Sequence, residues 1–149
     1  MGRRDEGLAF LLRYENVAWY EEGAVRILDR RIYPVRIEYM TCRSHQEVAQ
    51  AIADMVTQSG GPYTAAAMGL ALAAYEARDL SGEEALAYLE KAAYTLSHAR
   101  PTTSAKMARV TGRALEAARK ALEQGVHGVE LAEKLRQDAL DQLEEGGDE

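Results

Sequence analysis

Cysteine is nearly absent from this chain, with one, Cys42, in 149 residues. That excludes an intramolecular disulfide and any metal site built on a cysteine cluster. It fits a reducing compartment. Histidine is scarce as well. His45, His98 and His127 lie far apart, and none stands four residues from another ligand type in a metal motif. Aromatic residues make up 7%, and Trp19 is the only tryptophan, so the aromatic part of the core is expected near the N-terminal hairpin. No run approaches the roughly 20 apolar residues that cross a bilayer. The apolar run from Leu8 to Leu12 is too short for a signal-peptide core. The expectation is a soluble cytoplasmic protein with no membrane partner. The formal net charge is −6. Nucleic-acid binding needs a basic face, so that partner is not expected, although a local anion site is still allowed.

What is present is enough for one compact domain: 149 residues, 47% of them hydrophobic, with much of that share alanine. Alanine favours helices that pack closely. There is no internal repeat, low-complexity linker or second domain. The runs Asn16 to Tyr20 and Ala24 to Asp29 flank Glu21-Glu22-Gly23, a hairpin pattern. Tyr33-Pro34 turns the chain. Val35, Ile37 and Tyr39 then alternate with Arg36, Glu38 and Met40, the period of a half-buried third strand over 35–40.

From Ser44 the period becomes helical. Ser44 and Glu47 form a capping box, and Val48, Ile52, Met55 and Val56 line one face up to Gly60-Gly61. Pro62 suits a first helical turn. The alanine-rich helix it opens, to about Arg78, has small residues on all sides and is expected to be central. Ser81 and Glu84 cap a third helix, striped by Leu86, Leu89, Ala93 and Leu96. Pro101 ends it and opens a fourth, striped by Met107, Val110, Ala114, Leu115, Ala118 and Leu122. Gly125 and Gly128 separate a fifth, with Leu131, Leu135, Ala139, Leu140 and Leu143, and the tail from Glu144 frays. The predicted fold is α+β, mostly α: a three-stranded antiparallel sheet followed by about five helices.

Two short motifs bear on chemistry. Arg100-Pro101-Thr102 places a guanidinium beside the free amides of a new helix, a combination suited to phosphate. The plainer reading is a surface arginine before a helix-starting proline. Gly60-Gly61-Pro62 lets backbone approach an anion at a helix start, or simply makes an interhelical turn. His98, two residues before Arg100, is a possible lining residue of the same pocket, whereas His45 and His127 read as solvated or locally bonded. Cys42 reads as an inert packing thiol. Asp29 reads as a brace for the sheet. Arg3, Arg4, Arg30, Arg31 and Arg36 read as a solvated face paired with Glu21, Glu22 and Glu38.

In order and spacing, Asp29-Arg30-Arg31-Ile32-Tyr33-Pro34, Gly60-Gly61-Pro62 and Arg100-Pro101-Thr102 resemble the N-terminal half of the methylthioribose-1-phosphate isomerase family. That family also includes ribose-1,5-bisphosphate isomerases and regulatory subunits of initiation factor 2B. The likeness runs from about Leu12 to Gln142. It implies that residues 1–149 are a single domain like the family's N-terminal one, without the catalytic Rossmann-like C-terminal domain. It also implies that Arg100 contacts a substrate phosphate, with Ser59, Gly60, Gly61 and Thr102 around it. Ser59 stands where similar isomerases carry a second phosphate-binding arginine, and Ala105 where they carry asparagine.

The resemblance implies aldose–ketose isomerisation of a sugar 1-phosphate, as in methionine salvage, with no cofactor and no metal. The family's catalytic cysteine and aspartate belong to the absent domain, so no catalytic residue is assigned here. Implied partners are a sugar phosphate or other small anion, and a protein: a catalytic half, or a second copy. The alternative is a non-catalytic binding or regulatory module, like the initiation-factor relatives.

Overall fold

The computed structural model describes residues 17–57, 61–100 and 105–146. Its sheet is built on a hairpin of β1 (Ala18–Glu21) and β2 (Ala24–Leu28). Glu21 pairs with Ala24, leaving a two-residue turn of Glu22 and Gly23, with φ of 47° and 83°. Two positive φ values in sequence give the turn whose twist matches that of the strands. A side chain at Gly23 would also meet the Tyr75 ring, 2.7 Å from an added Cβ. The third strand, β3 (Tyr39–Cys42), pairs antiparallel with β2, in the order β1-β2-β3.

That third strand begins four residues later than the alternation over 35–40 predicts. Val35 is 87% exposed and Ile37 58% exposed. The turn explains the difference. Tyr33 N–H donates to the Asp29 carbonyl and Arg36 N–H to the Ile32 carbonyl, so the backbone is still coiled there. Asp29 braces this turn: its carboxylate accepts from the Arg31 amide and from Nε and Nη2 of the Arg31 guanidinium. Arg36 pairs with Glu38 as the charge pattern predicts. Arg3 and Arg4 lie outside the described residues.

Five helices follow among the described residues: α1 (His45–Ala53), α2 (Gly61–Glu76), α3 (Gly82–Ser97), α4 (Ala105–Glu123) and α5 (Val129–Gly146). Both capping boxes form. The Glu47 amide donates to Ser44 Oγ while its carboxylate accepts from the Arg43 amide, and Ser81 exchanges bonds with Glu84. Helix α1 is shorter than its stripe predicts. It stops at Ala53, and Met55, half-exposed with φ of 64°, turns away from the buried face. Gly61 accordingly starts α2 instead of ending α1. At the other end, α5 includes Glu144 and Glu145, which the tail composition predicts to fray.

Helix α2 is the axis of the domain. Thirteen of its sixteen residues are buried, so it has no solvent face. It packs against all four other helices and against β1 and β2. Small side chains make this possible, because Ala65, Ala66, Ala71 and Ala73 let neighbouring backbones approach on every side.

Candidate anion site

Helices α1 and α2 form an antiparallel pair. Thr57, past the end of α1, lies against Gly61 at the start of α2. Arg100, after α3, reaches this junction from far along the chain. Its Nε donates to the Ile52 carbonyl and its Nη2 to the Thr57 carbonyl, both at 3.0 Å. Ile52 is in the last turn of α1, where carbonyls lack helical partners and the dipole is negative. The guanidinium bonds one of them, that of Ile52, which also accepts from the Met55 amide, and the carbonyl of Thr57 beyond the helix end. The junction is further held by the Arg30 amide, which donates to the Val56 carbonyl at 2.7 Å. A guanidinium has five N–H donors, and among the described residues these two bonds leave three for another acceptor.

Thr57 marks the centre of the junction. It is fully buried, and its Oγ1 has no hydrogen-bond partner. That oxygen occupies the space a side chain at Gly61 would need: a Cβ there would lie 1.8 Å from it. Glycine at position 61 is therefore required by close approach. Together the start of α2, the Thr57 hydroxyl and the Arg100 guanidinium make a polar, positively charged corner.

No family model matches the chain. Individual proteins do. The methylthioribose-1-phosphate isomerase of Albidiferax ferrireducens is 35% identical over 104 residues, covering 68% of this chain and 28% of that protein. That of Caldanaerobacter subterraneus is 38% identical over 85 residues, 56% of this chain and 24% of that protein. Among solved structures, the 5-methylthioribose 1-phosphate isomerase of Pyrococcus horikoshii superposes with a TM-score of 0.69 and 25% identity, over 88% of this chain and 38% of that one. The delta subunit of translation initiation factor eIF-2B from A. fulgidus gives 0.68 and 29% identity, over 87% and 36%. The chain belongs to the methylthioribose-1-phosphate isomerase and initiation factor 2B family. It spans about a quarter of the length of the curated family members it matches, which fits one domain of them, the N-terminal one.

Of the residues the family resemblance singles out, Arg100 and Gly61 meet through Thr57. Ser59, Gly60 and Thr102 lie outside the described residues. His98 caps α3 and is exposed. Its ring stacks on Tyr94, with centroids 4.0 Å apart, and its Nδ1 bonds to the Tyr94 carbonyl and Ser97 Oγ.

One buried cluster has no counterpart in the family motifs. His45 is buried, against the solvated or locally bonded reading of its sequence position. Its amide and its Nδ1 both bond to Glu76 Oε1, at 3.0 and 2.8 Å, from 31 residues away. The Tyr88 hydroxyl also donates to Glu76, and the Tyr88 ring meets the His45 ring edge-on at 5.5 Å. Burial pushes the Glu76 carboxyl up, but the His45 and Tyr88 bonds outweigh it and hold the group below its usual range. The cluster sits at the far end of α2, roughly 22 Å along the helix from Gly61 at 1.5 Å per residue. It therefore pins α1 to α2 and takes no part in the anion corner. Cys42 ends β3, buried, and burial with the nearby Glu47 raises its thiol to about 11. Among the described residues no group of histidine, cysteine and acidic side chains could hold a metal, and no helix is long and apolar enough to cross a membrane.

Proposed function

We propose that this chain is the phosphate-contacting part of a sugar-phosphate isomerase of its family, acting on an aldose 1-phosphate such as methylthioribose 1-phosphate in methionine salvage. The observation that supports it is the joining of Arg100 to the junction before Gly61, because a cation and a helix start then face the same corner. Gly60, Ser59 and Thr102 complete the contact set, and His98 stands at its outer edge. The hydrogen shift between C1 and C2 needs a positioned acid/base pair. A catalytic partner supplies it and closes over the ligand. With Ser59 in place of a second arginine, one charge-assisted bond worth roughly 1.5–3 kcal/mol is missing, so the isolated site binds about tenfold to a hundredfold more weakly.

The test is turnover. The purified chain should not isomerise methylthioribose 1-phosphate, and adding a Rossmann-like partner recovered from native extract should start the reaction. Turnover by the chain alone that survives Cys42→Ala would overturn the reading.

A second reading, a non-catalytic module with a regulatory partner, is favoured by Arg100 committing two N–H groups to backbone carbonyls. On that reading phosphate titration is silent in both wild type and Ser59→Arg. On the first, Ser59→Arg tightens binding.

A further inference from the structure

Two helices start at the candidate anion corner. Helix α2 begins at Gly61 and α4 at Ala105, and neither carries an acidic residue in its first turn. Lys106, the second residue of α4, holds its Nζ 4.7 Å from the centroid of the Tyr63 ring, on the first turn of α2. Helical side chains tilt toward their own N-terminus, so the ring and the ammonium above it both stand over the start of α2. Lys106 is exposed and forms no ion pair among the described residues. Its position opposes the dipole of its own helix, because cations are disfavoured at a helix start. The first turn of α2 thus has an ammonium over Tyr63 and, at Gly61, contact with Thr57, whose carbonyl the Arg100 guanidinium holds, with no carboxylate in the first turn of α2 or α4. A buried, unpartnered hydroxyl, Thr57 Oγ1, lies against the first residue of α2.

We propose that Lys106 supplies the second cation of the anion site, from α4, in place of the charge that Ser59 lacks. This rests on the anion-site reading above. It also narrows the ligand. Two cations favour the ligand of higher charge, and a phosphate monoester carries close to two negative charges near neutral pH where a carboxylate carries one. The site therefore takes the phosphoryl group of a phosphate monoester in preference to a carboxylate.

The experiment is an amide-detected NMR titration of the chain with inorganic phosphate, and with acetate at matched ionic strength. In wild type, phosphate should shift Gly61, Tyr63 and Lys106, and acetate should shift them less. Lys106→Met should weaken phosphate binding about two- to fivefold, the range of an exposed charge pair, and should flatten its salt dependence. Lys106→Arg should restore both. Since Lys106 is exposed, these variants should fold, and circular dichroism checks that they do. If Lys106→Met binds as wild type does while Arg100→Gln binds more weakly, the anion site stands and the role of Lys106 is overturned. A Lys106→Met chain that melts earlier but binds phosphate unchanged makes the Tyr63 contact purely structural and overturns that role as well. If phosphate shifts nothing in wild type, the anion site and this inference fall together.

Discussion

Gly61 and Thr57 show how closely one residue can constrain another. A methyl group at position 61 would sit 1.8 Å from Thr57 Oγ1, so either the threonine rotates or the start of α2 moves. Overpacking of this kind costs about 1–3 kcal/mol. Gly61→Ala should lose that much, and Gly61→Ala with Thr57→Ala should cost less than the two changes summed. Urea midpoints measure it, and strictly additive losses would rule out the contact as the cause. Cys42 makes a simpler case. With its thiol raised to about 11, almost none is ionised near neutral pH, and the thiolate is the reactive form. A thiol reagent at pH 8 should leave the native chain unmodified and label it fully in denaturant. At this scale the sequence shows residue types well and partners poorly. Arg100 stands out beside Pro101, but its partners are main-chain carbonyls, which every residue carries. The inertness of Cys42 is readable from its place at a strand end. The burial of His45 is not, because Glu76 is 31 residues away and no local pattern links them.

Between elements, the Glu76 carboxylate is the clasp of the α1–α2 pair. Glu76→Ala would leave the buried His45 amide and ring without their acceptor, at a cost of about 1–3 kcal/mol. The pH dependence has a definite sign. The folded carboxyl titrates below its usual range, so its contribution is complete above the unfolded value of about 4.3. It fades as pH falls through the lower, folded value. Glu76→Gln keeps an acceptor but does not ionise. The stability gap between wild type and this variant should therefore shrink on acidification below about pH 4, followed by urea unfolding across an acid series. A gap that widens there would mean that another group sets the acid limb. Elements differ in how readable they are. The two capping boxes are local, their partners three positions apart, and both form as their spacing predicts. The third strand fails for the opposite reason. Alternation at 35–40 describes side chains, while hydrogen bonds of the preceding turn decide where the backbone straightens.

For the domain as a whole, the decisive fact is that α2 packs against every other described helix and two of the three strands. The alanine pattern predicts this central position, because small residues on all sides admit neighbours on all sides. One shared core means one transition. Trp19, in β1, lies beneath the Arg136 guanidinium of α5, 5.4 Å from its ring, so its fluorescence reports the docking of sheet and last helix. Fluorescence and helical circular dichroism should give the same melting midpoint. Two midpoints would divide the domain into parts that fold separately. The anion corner obeys the same logic, since its residues come from α2, α4 and the segments after α1 and α3. Thr57 and Lys106, its outermost members, stand 49 positions apart, which is why its motifs look unremarkable one at a time.

The wall that α5 builds against α2 also has a consequence for synthesis. Arg136 reaches the Tyr20 carbonyl, so the first and last described elements touch across 116 positions. A ribosome delivers α2 long before α5. Until the last helix emerges, one apolar flank of α2 has nothing to cover it, and a nascent chain in that state is open to association with its neighbours. A message cut short after Gly125 should consequently yield a sticky product that chaperones retain.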